Sequence, residues 1–280
     1  MSSLSEAISL SGEARLTAAV RWIEAFEQSS SIDVHEFKGL VQEIFADKEL
    51  TSEQKVRFGE AINKPGDPRL SKPNQPQYWV NLDLDGHPIS VGRHLVTIAE
   101  WKAFLATGYY NDQLWSPEGL LWRNADRPSW KTLSAASDSQ IYMFDNQPVV
   151  GVCMYEAQAY AALHQARLMS FDERIDITRG VENRPYPWGA PFGQGNANTK
   201  EEGIEKPCAV GLFLRDCTPE GVTDLAGNVA EWTEDDVDGR YLIHPGAWNV
   251  DSMASWAKAS HLISPAARTG YLGFRLVKDS

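Results

Sequence analysis

The chain has 280 residues, 42% of them hydrophobic, with ten Trp, ten Phe and nine Tyr, enough for one large core or one core plus a small domain. A formal net charge of -12 and a pI near 5.0 repel phosphate backbones and anionic lipid, so nucleic acid and membrane surfaces are poor partners and cations or basic proteins better ones. Three cysteines, Cys153, Cys208 and Cys217, with no C-x-x-C pair, argue against both a disulfide framework and structural zinc.

The first sixteen residues carry no basic region and no unbroken apolar stretch of leader length, and no later segment approaches the length of a bilayer span. A cytoplasmic protein is the expectation. Helical periodicity comes next, with Leu16, Val20, Ile23 and Phe26 and then Val34, Phe37, Leu40, Val41, Ile44 and Phe45 at three- and four-residue steps. Helix starts are signalled by Asp33 with Glu36 and by Thr51 with Gln54, the latter ahead of Val56, Ala61 and Ile62. Residues 1–66 therefore read as a small helical module. It either packs on the larger domain or docks a protein partner.

The Pro- and Gly-rich stretch 67–77 reads as a linker, leaving 78–280 as the main domain. Within it Tyr78 to Leu82 alternates, Asp83-Leu84-Asp85-Gly86 suits a turn, and Ile89 to Val96 is strand-like. Helices are expected over Thr97 to Thr107 and Tyr155 to Ala166. Between them lies the apolar run Pro148 to Met154, where Cys153 reads as a buried, inert thiol. Beyond residue 180, Gly, Pro, Asn and Trp dominate, so long loops pinned by buried aromatics are expected, with Glu234-Asp235-Asp236 as a solvated loop.

One segment of that loop-rich half carries a readable chemistry. Asp224 and Glu231 flank the turn pair Gly227-Asn228, and hard oxygen donors on a tight loop suit calcium, unless the two acids only cap the loop. The whole stretch from Gly221 to Thr233, GVTDLAGNVAEWT, resembles the signature of the formylglycine-generating enzymes, the sulfatase-modifying-factor family. Further pieces fall in that family's order: Val96-Thr97-Ile98-Ala99-Glu100-Trp101, Trp115-Ser116-Pro117-Glu118-Gly119, Gln147 to Val152, Tyr186-Pro187-Trp188-Gly189 and Leu272 to Val277.

The resemblance implies an α+β, C-type-lectin-like fold: a small antiparallel sheet, two flanking helices and long loops often pinned by calcium. Carried over by position, the calcium ligands would be the side chains of Asp224 and Glu231 and the carbonyls of Gly227 and Val229, with Asn198 opening a second site. The catalytic members hold copper on two cysteines between a GGSW motif and a GFR motif. Here that segment, Asn249 to Leu272, holds no cysteine, so copper is not expected. A sister branch uses iron on histidines spaced H-x-x-x-H-x-E, a spacing found nowhere in this chain, although His94, His164, His244 and His261 could still meet in space. Two motifs have drifted: GGSW is Pro245-Gly246-Ala247-Trp248, and R-L-P-T-E-x-E-W is Arg167-Leu168-Met169-Ser170-Phe171-Asp172-Glu173-Arg174.

Asn249 to His261 fits no clear period and mixes small, polar and aromatic groups, as recognition loops do. It also resembles, in position, the variable segment of proteins diversified by retroelements. Unless the segment is an ordinary loop under relaxed constraint, recognition is expected from the loop 249–271, with Trp248, Asn249, Asp251, Ser252, Ser255, Trp256, Lys258, Ser260 and His261 as the candidate ligand-binding face and a protein or a small molecule as ligand. The alternatives are an iron- or copper-dependent oxidase of the same superfamily, and a scaffold or regulator in a secretion or defence assembly.

Overall fold

The structure, a computed structural model, describes residues 3–27, 32–125, 130 and 144–279. The chain divides into two compact units, Met1–Ser71 and Lys72–Ser280.

The first unit holds helices α1 (Leu4–Ser9), α2 (Gly12–Glu24), α3 (Val34–Ala46) and α4 (Ser52–Ala61). The apolar face of α3, Phe37, Leu40, Val41, Ile44 and Phe45, is buried, as are Ile23, Val56, Phe58 and Ile62, and the Phe45 and Phe58 rings meet edge to face at 6.0 Å. Thr51 and Gln54 close a reciprocal capping box at the start of α4, while at α3 the Asp33 carboxylate accepts from the His35 and Glu36 amides. Helix α1 lies outside the expected set: at six residues it is too short to show a period, and the Ser3–Glu6 capping box holds it. Residues 67–71, expected as linker, belong to this unit. Arg69 pairs with Asp67 at 2.5 Å and sits 4.5 Å from the centre of the Phe45 ring.

In the second unit β1 (Trp79–Leu84) and β2 (His87–Gly92) form a hairpin through Asp85 and Gly86, both at positive φ as a tight two-residue turn requires. The strand expected to run to Val96 stops at Gly92. Strand β7 (Val277–Asp279) adds to β2, giving a three-stranded antiparallel sheet of order β1-β2-β7. A second sheet has the order β5 (His261–Ile263), β4 (Arg240–His244), β3 (Ala230–Val237), β6 (Leu272–Gly273), with β3 and β6 parallel.

Four helices complete the described part of this unit: α5 (Ile98–Thr107), α6 (Pro117–Asn124), α7 (Met154–Leu163) and α8 (Phe171–Arg179). Each except α7 is started by a Ser or Thr whose side chain accepts from the N3 amide. The run Glu234-Asp235-Asp236 is not a loop: it is the exposed half of β3, where Asp235 accepts from the Phe171 amide at 2.6 Å and so ties α8 to the sheet.

The core collects the aromatic residues. Trp101, Phe104, Tyr160 and Phe274 pack with ring centres 5.1 to 6.2 Å apart, and buried Trp232 donates its indole N–H to the Val152 carbonyl. Cys153 is buried among them, as its apolar neighbours predict. Thr97 fixes α5 against this core, accepting from the Glu100 amide and donating to the Glu100 carboxylate. Thr97→Ala is expected to cost about 0.5–2 kcal/mol in a urea melt, the usual range for a lost N-cap.

Candidate functional site

The signature segment folds as a buried turn with carboxylates inside it. Asp224 and Asn228 both take positive φ, 57° and 68°, which short polar side chains tolerate by bonding locally. Between them Gly227 passes so close to Asn198 that an added Cβ would lie 2.6 Å from the Asn198 carbonyl oxygen. Asp216 closes the turn from beneath: its carboxylate accepts from the amides of Leu225, Ala226 and Gly227 at 3.0, 2.8 and 2.9 Å. Burial, and next the charge of Asp224, push the Asp216 carboxyl up to about 7.

The two acids expected to share an ion are turned to different partners. The Asp224 carboxylate accepts from the Gly211 amide at 2.7 Å, from Thr223 Oγ1 at 3.0 Å and from Asn228 Nδ2 at 3.4 Å. Glu231 faces two arginines. Arg275 Nε donates to its Oε2 at 2.6 Å, and Arg174 Nη2 donates to its Oε1 at 3.1 Å and also to the Leu225 carbonyl. Arg275 further donates to the Thr223 and Gly92 carbonyls. All three side chains are at least 99% buried. Burial alone would raise the Glu231 carboxyl, but Arg275 and then Arg174 hold it below its ordinary value.

This donor set does not fit a calcium ion at Asp224, Gly227, Val229 and Glu231. Calcium needs several anionic or carbonyl oxygens converging on one point, whereas here both oxygens of Glu231 are taken by guanidinium groups whose charge opposes a divalent cation. Asn198 donates Nδ2 to the Lys206 carbonyl at 2.9 Å, and its own carbonyl accepts from the Asn228 amide at 2.9 Å, so it braces the turn. Its Oδ1 is buried and accepts no hydrogen bond among the described residues. The nearby acid Glu201 is turned away, accepting from the Ser252 amide and Thr199 Oγ1.

The candidate recognition segment is a series of tight bends leading into β5. Its backbone is pinned at several points. The Lys200 amide donates to the Val250 carbonyl, the Ser252 amide to Glu201, Tyr186 Oη to the Ser252 carbonyl, the Ala257 amide to the Pro185 carbonyl, and His244 Nε2 to the Trp256 carbonyl at 3.0 Å. Asn249, Asp251, Met253, Trp256, Lys258, Ser260 and His261 are exposed, Trp248 and Ser252 half-buried. Ser255 must leave the expected face: it is fully buried. Beside the segment, the Tyr186 and Trp188 rings stack in parallel at 5.1 Å, with the Phe192 ring edge-on.

The model of the sulfatase-modifying factor enzyme 1-like domain matches residues 48–280. The chain belongs to this family. Among curated proteins it is similar to the hercynine oxygenase of Mycolicibacterium thermoresistibile, 29% identical over 215 residues, covering 66% of this chain and 48% of that protein. The chain thus spans about half the length of that relative. Among solved structures, PvdO from Pseudomonas aeruginosa aligns with a TM-score of 0.51 at 20% identity, over 69% of this chain and 81% of that one. Treponema denticola variable protein 1 aligns with a TM-score of 0.50 at 16% identity, over 69% and 85%. These likenesses establish the formylglycine-generating-enzyme, C-type-lectin-like fold for the larger unit, preceded by helices.

Within this family member, the remaining metal-ligating side chains are dispersed. Burial pushes the Cys153 thiol up, and burial with the charges of Asp216 and Asp224 pushes Cys217 up to about 11, so both stay protonated near neutrality. His94 Nδ1 lies 2.8 Å from Thr223 Oγ1, and the His164 ring packs against Tyr160 with centres 4.7 Å apart and planes tilted by 58°. His244 is fully buried and accepts the Gly246 amide on Nδ1. Burial, then the Arg174 charge, hold its imidazole well below its ordinary value, so it is neutral. His261 is exposed on β5, and among the described residues no three His, Cys, Asp or Glu side chains gather as a metal-holding group. No described helix is long and apolar enough to cross a membrane.

Sequence reasoning missed Asp216, Arg174 and Arg275 as members of the buried network. Two of them left a trace: Arg174 stands where the resembling pattern carries Trp, and Arg275 belongs to the quoted run Leu272 to Val277.

Proposed function

We propose that the lectin-like unit is a ligand- or protein-binding module whose recognition surface is the segment 249–261. One observation carries this reading: the segment's backbone is pinned by Pro185, Tyr186, Lys200, Glu201 and His244 while chemically varied side chains point outward. A loop already held in shape avoids most of the ordering cost of binding. Two large apolar groups, Met253 at 81% and Trp256 at 47% exposure, supply the contact area that a protein ligand would cover.

The experiment compares proteins captured by the wild type with those captured by a Met253→Ala/Trp256→Ala variant and by a control, Leu121→Ala, altered at an exposed residue on α6. The variant is expected to lose captured partners that the control keeps, with an unchanged melting temperature. Identical capture by all three would remove the segment from the binding reading. A near-copy of the gene's last hundred or so bases, differing only at adenines beside a reverse-transcriptase gene, would add diversification to it.

The similarity to hercynine oxygenase supports a second reading, a metal-dependent oxidase. Near-stoichiometric iron or copper in purified protein, together with oxygen uptake on thiols, would replace the first reading with this one. For the helical unit we propose a separate docking role, supported by a shallow groove along α1 and α2 between Leu10, Glu13 and Arg21. Loss of a captured partner on Leu10→Asp is the outcome expected there.

A further inference from the structure

We infer that Arg174 is a built-in cation: its guanidinium occupies the electrostatic position at the signature turn that a metal ion would otherwise take, so the turn is braced by the chain itself. Three observations converge on this. Arg174 Nη2 reaches both the Leu225 carbonyl and Glu231 Oε1, joining a backbone oxygen of the turn to the acid six residues further on, as a bridging cation would. The side chain is fully buried on α8, 1% exposed, so its charge is not screened by water. The remaining oxygen of Glu231 is held by Arg275 at 2.6 Å, and the Asp224 carboxylate accepts from Gly211, Thr223 and Asn228, so with Arg174 in place neither acid of the turn offers a metal ion a free carboxylate.

The placement follows from α8. Ser170 and Glu173 fix the helix start by a capping box, and Ile177 anchors its inner face, so position 174 points inward at the turn. A Trp at this position, as in the resembling pattern R-L-P-T-E-x-E-W, brings no charge; it would free the Leu225 carbonyl and leave Glu231 Oε1 with only the 3.3 Å contact from Arg275 Nη2, room for another cation. Arginine at 174 and a metal ion at the turn are therefore alternatives. Both Arg174 contacts come from Nη2, while Nε and Nη1 find no hydrogen-bond partner among the described residues, and although burial pulls its ionisation below the ordinary arginine value the guanidinium remains a cation at neutral pH.

The test is thermal unfolding of the full chain in excess calcium chloride and in excess EGTA, for the wild type, Arg174→Trp and Arg174→Met. The wild type is expected to melt at the same temperature in both buffers, within about 1 °C; a site bound at a hundred times its Kd would raise the midpoint by roughly 5 °C or more in a unit of this size. Arg174→Trp and Arg174→Met are expected to melt lower than the wild type in EGTA and to regain at least about 4 °C in calcium. A wild type stabilised by calcium would overturn the inference without use of any variant. Folded variants that ignore calcium would overturn it as well. If neither variant folds in EGTA, folding restored by adding calcium supports the inference, and failure in both buffers counts against it.

Discussion

Glu231→Gln is expected to lower the unfolding free energy of the lectin-like unit by about 3–5 kcal/mol, the cost of breaking a buried ion network by removing one partner. The substitution keeps the shape but leaves Arg174 and Arg275, both at most 1% exposed, facing each other across an uncharged amide. Denaturation in guanidinium, followed by the fluorescence of buried Trp232 and Trp101, measures the loss. A cost under about 1 kcal/mol would mean that the arginines find other acceptors. The same group sets a pH dependence. Because the Glu231 carboxyl is held below its ordinary value by Arg275 and Arg174, its contribution is fully present above the unfolded value of about 4.3 and is lost as pH falls through the folded one. The Gln variant is expected to lack that part of the acid limb.

The second large effect is expected at Asp216. Asp216→Ala strips the acceptor from the amides of Leu225, Ala226 and Gly227 in a site closed to water. Each unsatisfied buried donor costs about 1–3 kcal/mol, so a total loss of about 3 kcal/mol or more is expected in the same denaturation experiment. Here the pH sign is reversed. The folded carboxyl, pushed up to about 7 by burial and Asp224, lies above its unfolded value of about 3.9. Its titration therefore contributes stability that is full below about pH 4 and is lost as pH rises through 7. The Ala variant is expected to show a flatter stability profile between those limits than the wild type.

The range of the interactions explains why some elements were legible in the sequence and others were not. Helices α3 and α4 were readable because their apolar periods and their starts at Asp33 and Thr51 are local signals within a dozen residues. The hairpin β1–β2 was readable from Asp85-Gly86 for the same reason. Helix α8 gave no such signal, because the residues it buries include Arg174 and Thr178, so its inward face does not look apolar. Strands β3 and β4 were hidden in a half dominated by turn residues, with the acidic run Glu234 to Asp236 masking the outer part of β3.

At the site, the motif from Gly221 to Thr233 located the right segment, but the partners of its acids lie far off in the chain. Arg174 is 57 residues before Glu231 and Arg275 is 44 after it. A motif can show that two acids are close together without showing which charges face them. Ser255 was misplaced for a simpler reason: a segment without a period gives no way to tell which of its small residues turns inward.

The last eight described residues join structures that are otherwise separate: β6 adds to β3 in one sheet, β7 adds to β2 in the other, and Arg275 between them reaches Glu231. Ile89 thereby pairs with Asp279 across nearly the whole unit. Folding must therefore wait for the end of this segment to be made. Until it leaves the ribosome, β2 and β3 each keep an open edge, Glu231 has one of its two guanidinium partners missing, and the loops already synthesised have nothing to close on. Such long-range closure makes for slow refolding, and a lag that ends only when residues 272–279 dock is its kinetic signature.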